Sequence, residues 1–548
     1  MMYDCPNCAG NLQFDIQTQK MKCSHCSTLI DPYQLDADKG NAEEHNDYDV
    51  TMFTCPQCNA QIYSLDTQAA GFCSYCGAAT TLNSRLEKVV RPQYIVPFRI
   101  TKQRCIDIYQ NYLKKAKFIP KELQDSAAIN SFRGIYIPFW VYKAKQRDSV
   151  SFQAVQYKNE FRGNMKYTYK VSGNLHCDYY GAMHDASSAF EDDISEQIMP
   201  YDLDRFQKFT PAFMSGFYAD IADVDSSVYH SHMVNAIEEV TLENLKLHPL
   251  LEDYILGDDP LEQFDFRTEC VRADLVMLPV WLLSYRKGDR IAYIAMNGLT
   301  GKIAADMPIN TVRYFITSLL ISLPVFLLSK WVLGIVGNRE MYPLFAKLGT
   351  ISQNYIVSWL TVLVMDIYSD HRCWIWERTN QYNDLGKDYI QKDTYESLTK
   401  WRHIRQHEKT DRAISSLSTT LSCLSAVAIF IFWIVGLSTV EFAGYNIIFL
   451  LFSFCLLSAG LGVALISLRQ LLRLPIKKKL TGYFLTLLPF LGTFAAFWLS
   501  ITGTLSYIII CCSALFGIIA FKDLLNHYNV LSTRKLPQYN YQGGDHHV

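Results

Sequence analysis

Eight cysteines near the start of the chain form four Cys-x2-Cys pairs, which repeat with a fixed offset of fifty residues. In each of the two units, fourteen residues separate the first pair from the second. Two thiolates placed on one tight turn can face the same ion, and two such turns complete the tetrahedral four-thiolate site that zinc accepts. The spacing therefore predicts two zinc ribbons with these ligands: Cys5, Cys8, Cys23 and Cys26, then Cys55, Cys58, Cys73 and Cys76.

Disulfides and a redox-active Cys-x2-Cys motif are the alternative interpretations of these pairs. Disulfide scaffolds belong to secreted chains, and we do not expect the N-terminal residues to be a signal peptide. A redox motif normally starts a helix inside a βαβ unit, which a duplicated cysteine turn does not provide. We therefore expect two structural zinc ions, whose four thiolate ligands leave no position for a substrate. Each ion stabilises a module with too little core to fold alone.

The charge of the ribbon region indicates the kind of partner that it binds. Residues 1–89 carry five basic side chains against eleven acidic ones, and seven of the acids lie between Asp31 and Asp49. Nucleic-acid binding draws most of its affinity from the neutralisation of phosphates. Acidic ribbons therefore favour a protein partner over a nucleic acid.

Long apolar runs appear beyond residue 311, whereas the preceding sequence mixes apolar with charged side chains. Runs of about twenty apolar residues are typical of membrane helices. Six spans are predicted, of which the second is weak because it contains polar residues: 314–336, 350–367, 417–439, 444–467, 481–500 and 503–521.

The basic loop at 469–479 sets the expected topology. It carries five Lys and Arg residues, and short loops of this kind stay on the cytoplasmic side. Reduced ribbon thiols also require the cytoplasm. Six spans with both termini cytoplasmic satisfy both conditions. If 350–367 were instead an interfacial or re-entrant segment, either the ribbons or the loop would lie on the wrong side. The expected localisation is the cytoplasmic membrane, with multiple passes.

The middle of the chain, residues 90–311, mixes helical and strand periodicities and predicts an α+β domain. Apolar residues at helical spacing predict an amphipathic helix that ends before Pro120, and a second helix is predicted over 228–247. Residues 135–144 are rich in β-branched and aromatic side chains and predict a strand.

Two segments of this domain echo each other. Ile137-Pro138-Phe139-Trp140 and Leu278-Pro279-Val280-Trp281 share a pattern, and the second opens into a hairpin predicted over 273–285 and 290–295. Proline belongs at strand starts or edges. We interpret the pair as related β-elements, each anchored by a buried tryptophan; coincidence in an aromatic-rich chain is the alternative.

The expected fold is multidomain: two small β zinc ribbons, a cytoplasmic α+β domain and an all-α polytopic membrane bundle of about six helices. The boundaries are ribbon 1 over 1–40, ribbon 2 over 50–89, the α+β domain over 90–311, a first transmembrane pair over 312–369, a basic cytoplasmic loop over 370–416, four transmembrane helices over 417–522 and a cytoplasmic tail over 523–548.

Catalytic motifs do not emerge from the sequence. It contains no Walker motif, no GxSxG and no HExxH. The short runs His176-Cys177-Asp178 and His184-Asp185 are of a kind that occurs often by chance. We therefore do not expect an enzyme, and predict no catalytic or organic-cofactor site.

Several segments besides the ribbons carry a family resemblance: 133–140, 200–203, 213–219, 278–281 and 296–302. With the Cys-Pro-Asn-Cys and Cys-Pro-Gln-Cys turns, they resemble the bacterial TFIIB-type zinc-ribbon integral membrane proteins, often misnamed after replication-restart helicase or RNA polymerase subunits. The resemblance implies ribbons that face the cytoplasm, and a link in some relatives to SPFH-type and phage-shock proteins of the envelope-stress response. The apolar region of this chain is longer than that family suggests.

The function that these features favour is a membrane-anchored cytoplasmic scaffold that recruits protein partners. Its expected partners are the lipid bilayer and cytoplasmic or membrane proteins, and the sequence is compatible with an oligomer. A transporter or channel with a regulatory ribbon domain is the alternative, disfavoured because the spans hold few charged residues. A membrane-tethered nucleic-acid-binding regulator is the third hypothesis.

Overall fold

The structure is a computed structural model that describes residues 3–37, 47–64, 73–78, 83–116, 118–160, 163–246, 248, 255–256, 267–321, 324 and 504–536. Its sixteen strands are β1 Leu12–Asp15, β2 Lys20–Cys23, β3 Leu29–Ile30, β4 Asp47–Thr54, β5 Gln61–Ser64, β6 Asn83–Val90, β7 Tyr94–Ile95, β8 Arg133–Glu160, β9 Gly163–Asp185, β10 Gln207–Lys208, β11 Tyr218–Asp220, β12 Ile255–Leu256, β13 Thr268–Lys287, β14 Arg290–Asn297, β15 Ile303–Ala305 and β16 Arg534–Lys535.

Helices connect and flank these strands. The α-helices are α1 Pro32–Ala37, α2 Lys102–Lys115, α3 Ser126–Asn130, α4 Asp192–Ile198, α5 His230–Lys246, α6 over 311–321 and α7 Thr504–Leu531. Short 3-10 turns lie at Lys121–Gln124, Leu203–Arg205, Pro211–Met214 and Ser226–Tyr229.

Two sheets contain the strands. The first ribbon has its own antiparallel sheet, in the order β1-β2-β3. The thirteen other strands form one large sheet with the main path β10-β7-β13-β8-β11-β5-β4-β6. Strands β4, β5 and β6 come from the second ribbon region, and β5 joins the rest of the sheet by antiparallel pairing with β11. The second ribbon is therefore continuous with the α+β sheet.

The core covers both faces of the central strands. On β13, Met277, Trp281 and Leu283 join one buried cluster, whereas Val276 and Leu278 join the other. Alternate side chains of a strand point to opposite faces, so the near-continuous apolar run of β13 follows from burial on both sides. Two ligand cysteines of the first ribbon, Cys5 and Cys23, belong to the first cluster, and all four of the second ribbon belong to the second.

Strands β8 and β9 form a hairpin that continues past β13, and along this extension the two-residue strand β12 pairs with β8 at Ala154 and Val155. They pair from Phe139–Asp185 to Glu160–Gly163, whereas β13 pairs with β8 only as far as Gln146. A strand rises by about 3.3 Å per residue, so residues 147–160 extend the hairpin by roughly 45 Å. We call residues 147–160 and 163–176 the hairpin arm.

Most secondary structure expected between residues 90 and 311 is confirmed. Helix α2 ends before Pro120, α5 covers most of 228–247, and β13 and β14 form the expected antiparallel hairpin. The prediction for the two tryptophans is confirmed only in part. Trp281 is 4% exposed, whereas Trp140 is half-buried and packs at the edge of a smaller cluster.

The end of the chain returns to the large sheet. Strand β16 pairs with β14, and the Arg534 guanidinium lies within ion-pair distance of Glu191, Asp193 and Asp306. The Asn529 amide exchanges two hydrogen bonds with the backbone of Ile309, at 2.7 and 2.8 Å. These contacts attach the C-terminal end of α7 to the α+β domain.

The predicted all-α polytopic membrane bundle and the multi-pass membrane localisation require correction. The described residues form mainly β-sheet, and none of them lies in a helix that is long and apolar enough to cross a membrane. Helix α7 carries Lys522 and Asp523 towards its C-terminal end, which packs on the sheet. The predicted spans 350–367, 417–439, 444–467 and 481–500 lie outside the described residues, as does most of 314–336.

Candidate metal centres

The eight predicted ligands lie in two groups of four, one in each ribbon. In the first ribbon, β1 and β2 form a hairpin that brings the turn after Cys5 next to the turn after Cys23. In each turn the cysteine carbonyl accepts a hydrogen bond from the amide four residues later, at 2.8 Å to Ala9 and at 3.1 Å to Ser27. The two turns therefore share one geometry.

The second ribbon repeats this turn. The carbonyls of Cys55 and Cys73 accept hydrogen bonds from Asn59 at 2.8 Å and from Gly77 at 3.0 Å. The fourth residue after the leading cysteine has φ of 57° to 66° in all four turns, at Ala9, Ser27, Asn59 and Gly77. A left-handed residue at this position closes the turn. The sequence offered only a weak signal for it, because two of these four residues are alanine and serine.

The sulfur atoms have the spacing of a metal site. Within each group all four sulfurs lie within 4.8 Å of one another. The sulfur pairs Cys5–Cys26, Cys8–Cys23 and Cys8–Cys26 are 3.5, 3.5 and 3.4 Å apart. In the second ribbon, the sulfur pairs Cys55–Cys76 and Cys58–Cys73 are both 3.7 Å apart. A tetrahedron with Zn–S bonds of about 2.3 Å has edges of about 3.8 Å. Both groups can therefore hold a tetrahedral ion without rearrangement.

Burial distinguishes the two centres. All four cysteines of the second ribbon are buried, whereas Cys8 and Cys26 of the first ribbon are exposed. The second centre packs among side chains of the central strands, including Ile135 and Val280. The first centre lies at the edge of the molecule, with His25 exposed beside it. An ion held by the second centre would therefore be surrounded by more of the core than one held by the first.

Hydrogen bonds favour the ligating form of some of these cysteines. The Thr28 hydroxyl, 3.0 Å from the Cys26 sulfur, and then the Thr28 amide lower the pKa of the Cys26 thiol to about 6. A hydrogen bond from Cys73 lowers the pKa of Cys55 to about 6 against the effect of burial. The thiolate is the form that binds metal, so these two thiols lose their protons readily, whereas the pKa values of Cys8, Cys58 and Cys73 are raised by their cysteine neighbours and by burial.

Buried hydrogen bonds connect the second centre to the large sheet. Tyr75, in the turn between Cys73 and Cys76, donates its hydroxyl hydrogen bond to Asp220 of β11. The Tyr75 carbonyl accepts a hydrogen bond of 2.6 Å from the Tyr293 hydroxyl of β14. Sequence reasoning did not identify these residues, because each partner is more than 140 positions away from Tyr75.

Asp220 is a fully buried carboxyl that also accepts a hydrogen bond of 2.5 Å from Ser187. Burial raises the pKa of Asp220 to about 7, although the hydrogen bonds from Ser187 and Tyr75 act in the opposite direction. An unfolded aspartate titrates near about 3.9. The folded chain thus binds more protons between about pH 4 and 7, and its stability should fall as pH rises through this window.

The variant Asp220→Asn should remove this pH dependence, because the amide oxygen still accepts the hydrogen bonds from Ser187 and Tyr75 but carries no charge. The hydrogen bond from the Ile221 amide is lost equally at every pH. A shift of three pKa units corresponds to at most about 4 kcal/mol. Denaturant unfolding between pH 5 and 8 in excess zinc should show wild type losing stability relative to the variant. Asp289→Asn, at an exposed position, serves as the control. The assignment would be contradicted if the free energy of unfolding changed with pH in the same way in wild type and in Asp220→Asn.

The His176-Cys177-Asp178 run lies on the hairpin and has a structural role. Asp178 accepts two hydrogen bonds from Arg147, at 2.8 and 2.9 Å, and the pair is solvent-exposed. Cys177 is half-buried, with no partner among the ligand groups found in the described residues.

Comparison with known proteins gives limited further information. No protein-family model matches the chain, and no solved structure matches it significantly. The chain is similar to YdjG of Bacillus subtilis strain 168, an uncharacterized protein, with 25% identity over 312 residues that cover 56% of this chain and 90% of YdjG. None of these comparisons supports the TFIIB-type membrane family, which stays a prediction. The two N-terminal four-cysteine clusters fit a double zinc ribbon.

Proposed function

We propose that the chain is a zinc-stabilised scaffold that recruits an acidic protein partner to its hairpin arm. The observation that carries the proposal is the combination of two closed metal centres with a long projecting hairpin. Four sulfurs fill the coordination sphere of each centre, so the ions can stabilise the fold but offer no position to a substrate. The proposed ions are two Zn²⁺ per chain.

The arm offers a surface that is separate from the metal centres. One of its faces is covered by α5, where Leu242 packs against Phe152, Ala154 and Leu175. The other face is exposed, with Ser149, Ser151 and Gln153 alternating outwards along β8. A rigid two-stranded element with one free face can present side chains to a partner without disturbing the core.

The charge of the exposed face suggests the chemistry of the partner. At and beside the arm, this face carries five exposed basic side chains: Lys143, Lys145, Arg147, Lys166 and Lys170. Among its described residues, this face carries two acidic side chains beside these bases: Asp178, which is already paired with Arg147, and Glu269 of β13, which lies opposite Lys145. Complementary charge steers association and selects among partners. The acidic ribbon region disfavours a nucleic acid, since it would repel extended phosphates.

Site-specific crosslinking in the native host tests the proposal. A photoreactive residue at Ser151, on the exposed face, should crosslink to an acidic protein segment identified by mass spectrometry. Reversal of two charges, with Lys145→Glu and Lys170→Glu, should reduce the adduct at least about tenfold, the factor that 1.4 kcal/mol represents. A reporter at exposed Gln103 of α2 serves as the control. Adducts unchanged by charge reversal, or removed by nuclease, would contradict the proposal.

A further inference from the structure

A second group of metal-binding side chains lies where β9 ends and α4 and α5 begin. His184 and Asp185 are the last two residues of β9, and Asp192 is the first residue of α4. Glu196 follows one helical turn later, and His232 lies in the first turn of α5. Three separate segments of the chain thus bring two imidazoles and three carboxylates together.

The distances around His184 are close to those of a coordination site in two overlapping sets of three residues. His184 Nε2 lies 3.9 Å from an Asp192 oxygen, and the ligand atoms of His184, Glu196 and His232 lie within 4.8 Å of one another. The same limit holds for His184, Asp185 and Asp192. Ligands around a divalent transition metal bonded at about 2.0–2.2 Å are separated by about 3–4 Å, so each of these two sets, which share His184, comes close to the spacing of a metal site.

His184 is held in a fixed orientation at the centre of the group. Its ring stacks on Tyr229, with the centroids 3.8 Å apart and the planes at 16°. Its Nδ1 lies 3.2 Å from the Asp185 carbonyl and 3.4 Å from an Asp185 carboxylate oxygen. A metal-bound histidine commonly donates its second ring N–H to such an oxygen. The Nδ1 side is therefore occupied, and Nε2 faces the other donors.

Burial makes a cation favourable here. His184, Asp185 and Asp192 are 4%, 0% and 6% exposed, respectively. Two carboxylates in such an interior are costly unless positive charge compensates them. Imidazole and carboxylate together suit zinc and neighbouring divalent transition metals. The approach of both His232 and Glu196 to the His184 ring is more than one hydrogen bond to that ring would need.

We propose that this group binds one divalent transition-metal ion of the zinc class, in addition to the two ribbon ions. The proposed donors are two imidazoles and two carboxylates: His184, His232, Asp192 and Glu196. Asp185 acts as a positioning residue that orients the His184 ring. Glu196 is exposed and His232 half-buried, so this ion, unlike those of the ribbons, faces solvent and can accept water as a ligand.

Metal counting on the full-length protein tests the site. After zinc reloading and dialysis, wild type should hold about three zinc equivalents, from two thiolate centres and one nitrogen–oxygen centre. His232→Gln and Glu196→Gln should each hold about two, because both remove a donor at a position that is not deeply buried. The matched control His230→Gln, an exposed histidine of the same helix, should retain about three.

Cobalt substitution assigns the lost ion to the correct site. Cobalt bound to ribbon thiolates gives sulfur-to-metal charge-transfer absorption, which His232→Gln should leave unchanged while the metal count falls by one. About two equivalents in wild type, or an unchanged count in both donor variants, would overturn the proposal. Loss of the thiolate band in a donor variant would also contradict it, because the removed ion would then be a ribbon ion.

Discussion

Replacing Cys73 with serine should abolish cooperative folding of the α+β domain and release one zinc equivalent. Cys73 is 2% exposed and packs in the same cluster as the central strands. Its turn also carries Tyr75, which bonds to β11 and β14. Structural zinc contributes roughly 10–16 kcal/mol in ribbon-sized peptides, whereas a domain is stabilised by about 5–15 kcal/mol in total. The free energy lost with this ion is therefore larger than the remaining contacts of the domain can offset.

Cys26→Ser should have a smaller and more local effect. Cys26 is exposed, and the first ribbon forms a separate sheet. One side of this sheet packs on the domain, where Leu12 and Phe14 join the first cluster and hydrogen bonds of 2.8 Å run from Ser215 to Leu12 and from Gln19 to Phe98. We expect residues 3–30 to lose protection against hydrogen exchange while the large sheet keeps it.

Hydrogen exchange, zinc analysis and denaturant unfolding of the full chain distinguish these two outcomes. Cys177→Ser is the matched control, because Cys177 is a half-buried cysteine outside both centres. It should keep both ribbon ions and the wild-type unfolding midpoint. Equal effects of Cys73→Ser and Cys26→Ser, or retention of the large sheet in Cys73→Ser, would show that the second ion does not support the domain core.

The metal ligands could be predicted from the sequence because their spacing is local. A Cys-x2-Cys turn brings two sulfurs together within four residues, and the register of the repeat pairs the turns. The attachment of the second ribbon to the sheet could not be predicted in this way. It depends on β5 pairing with β11, with Ser64 opposite Tyr218. The register between two short strands this far apart in sequence is set by the surrounding packing, so the strand sequences alone do not indicate it.

The group around His184 shows the same limit at a candidate site. The sequence displays only the adjacent pair His184-Asp185, which has no spacing signature. Its partners Asp192 and His232 approach through the docking of α4 and α5 on β9. Helix-forming patterns predicted α5, but neither its orientation nor the residues that it brings to the end of β9.

The membrane bundle was predicted from hydropathy, which measures the polarity of side chains but not what covers them. Strand β13 illustrates the ambiguity, since its apolar run from Leu275 to Leu283 is buried on both faces of a sheet. Length separates a buried strand from a helix in that case. For α7, contacts such as Asn529 with Ile309 are tertiary features that hydropathy cannot reveal.

The two echoing tryptophans should differ in their contribution to stability, although their sequence contexts are alike. Trp281 lies among Phe98 and Phe217, with ring centroids 5.2 and 6.5 Å away, and donates a hydrogen bond of 2.8 Å to Ile100. Trp281→Ala should therefore cost about 3–5 kcal/mol through lost transfer energy and a cavity. Trp281→Phe should cost only about 1–2 kcal/mol, because it keeps a ring and loses mainly the hydrogen bond.

Trp140 provides the matched comparison in the neighbouring strand. It also donates a hydrogen bond of 2.8 Å, to Val224, but it is only half-buried, so Trp140→Ala should cost about 2 kcal/mol. Denaturant midpoints of the full chain in excess zinc should follow the order wild type, Trp281→Phe and Trp140→Ala close together, and then Trp281→Ala. If Trp281→Ala left the midpoint unchanged, Trp281 would not belong to the core. Burial of the tryptophan would then not explain why the segments 137–140 and 278–281 share a pattern. If Trp140→Ala were the more costly change, the cluster around Val224, rather than the one around Phe98, would stabilise the sheet.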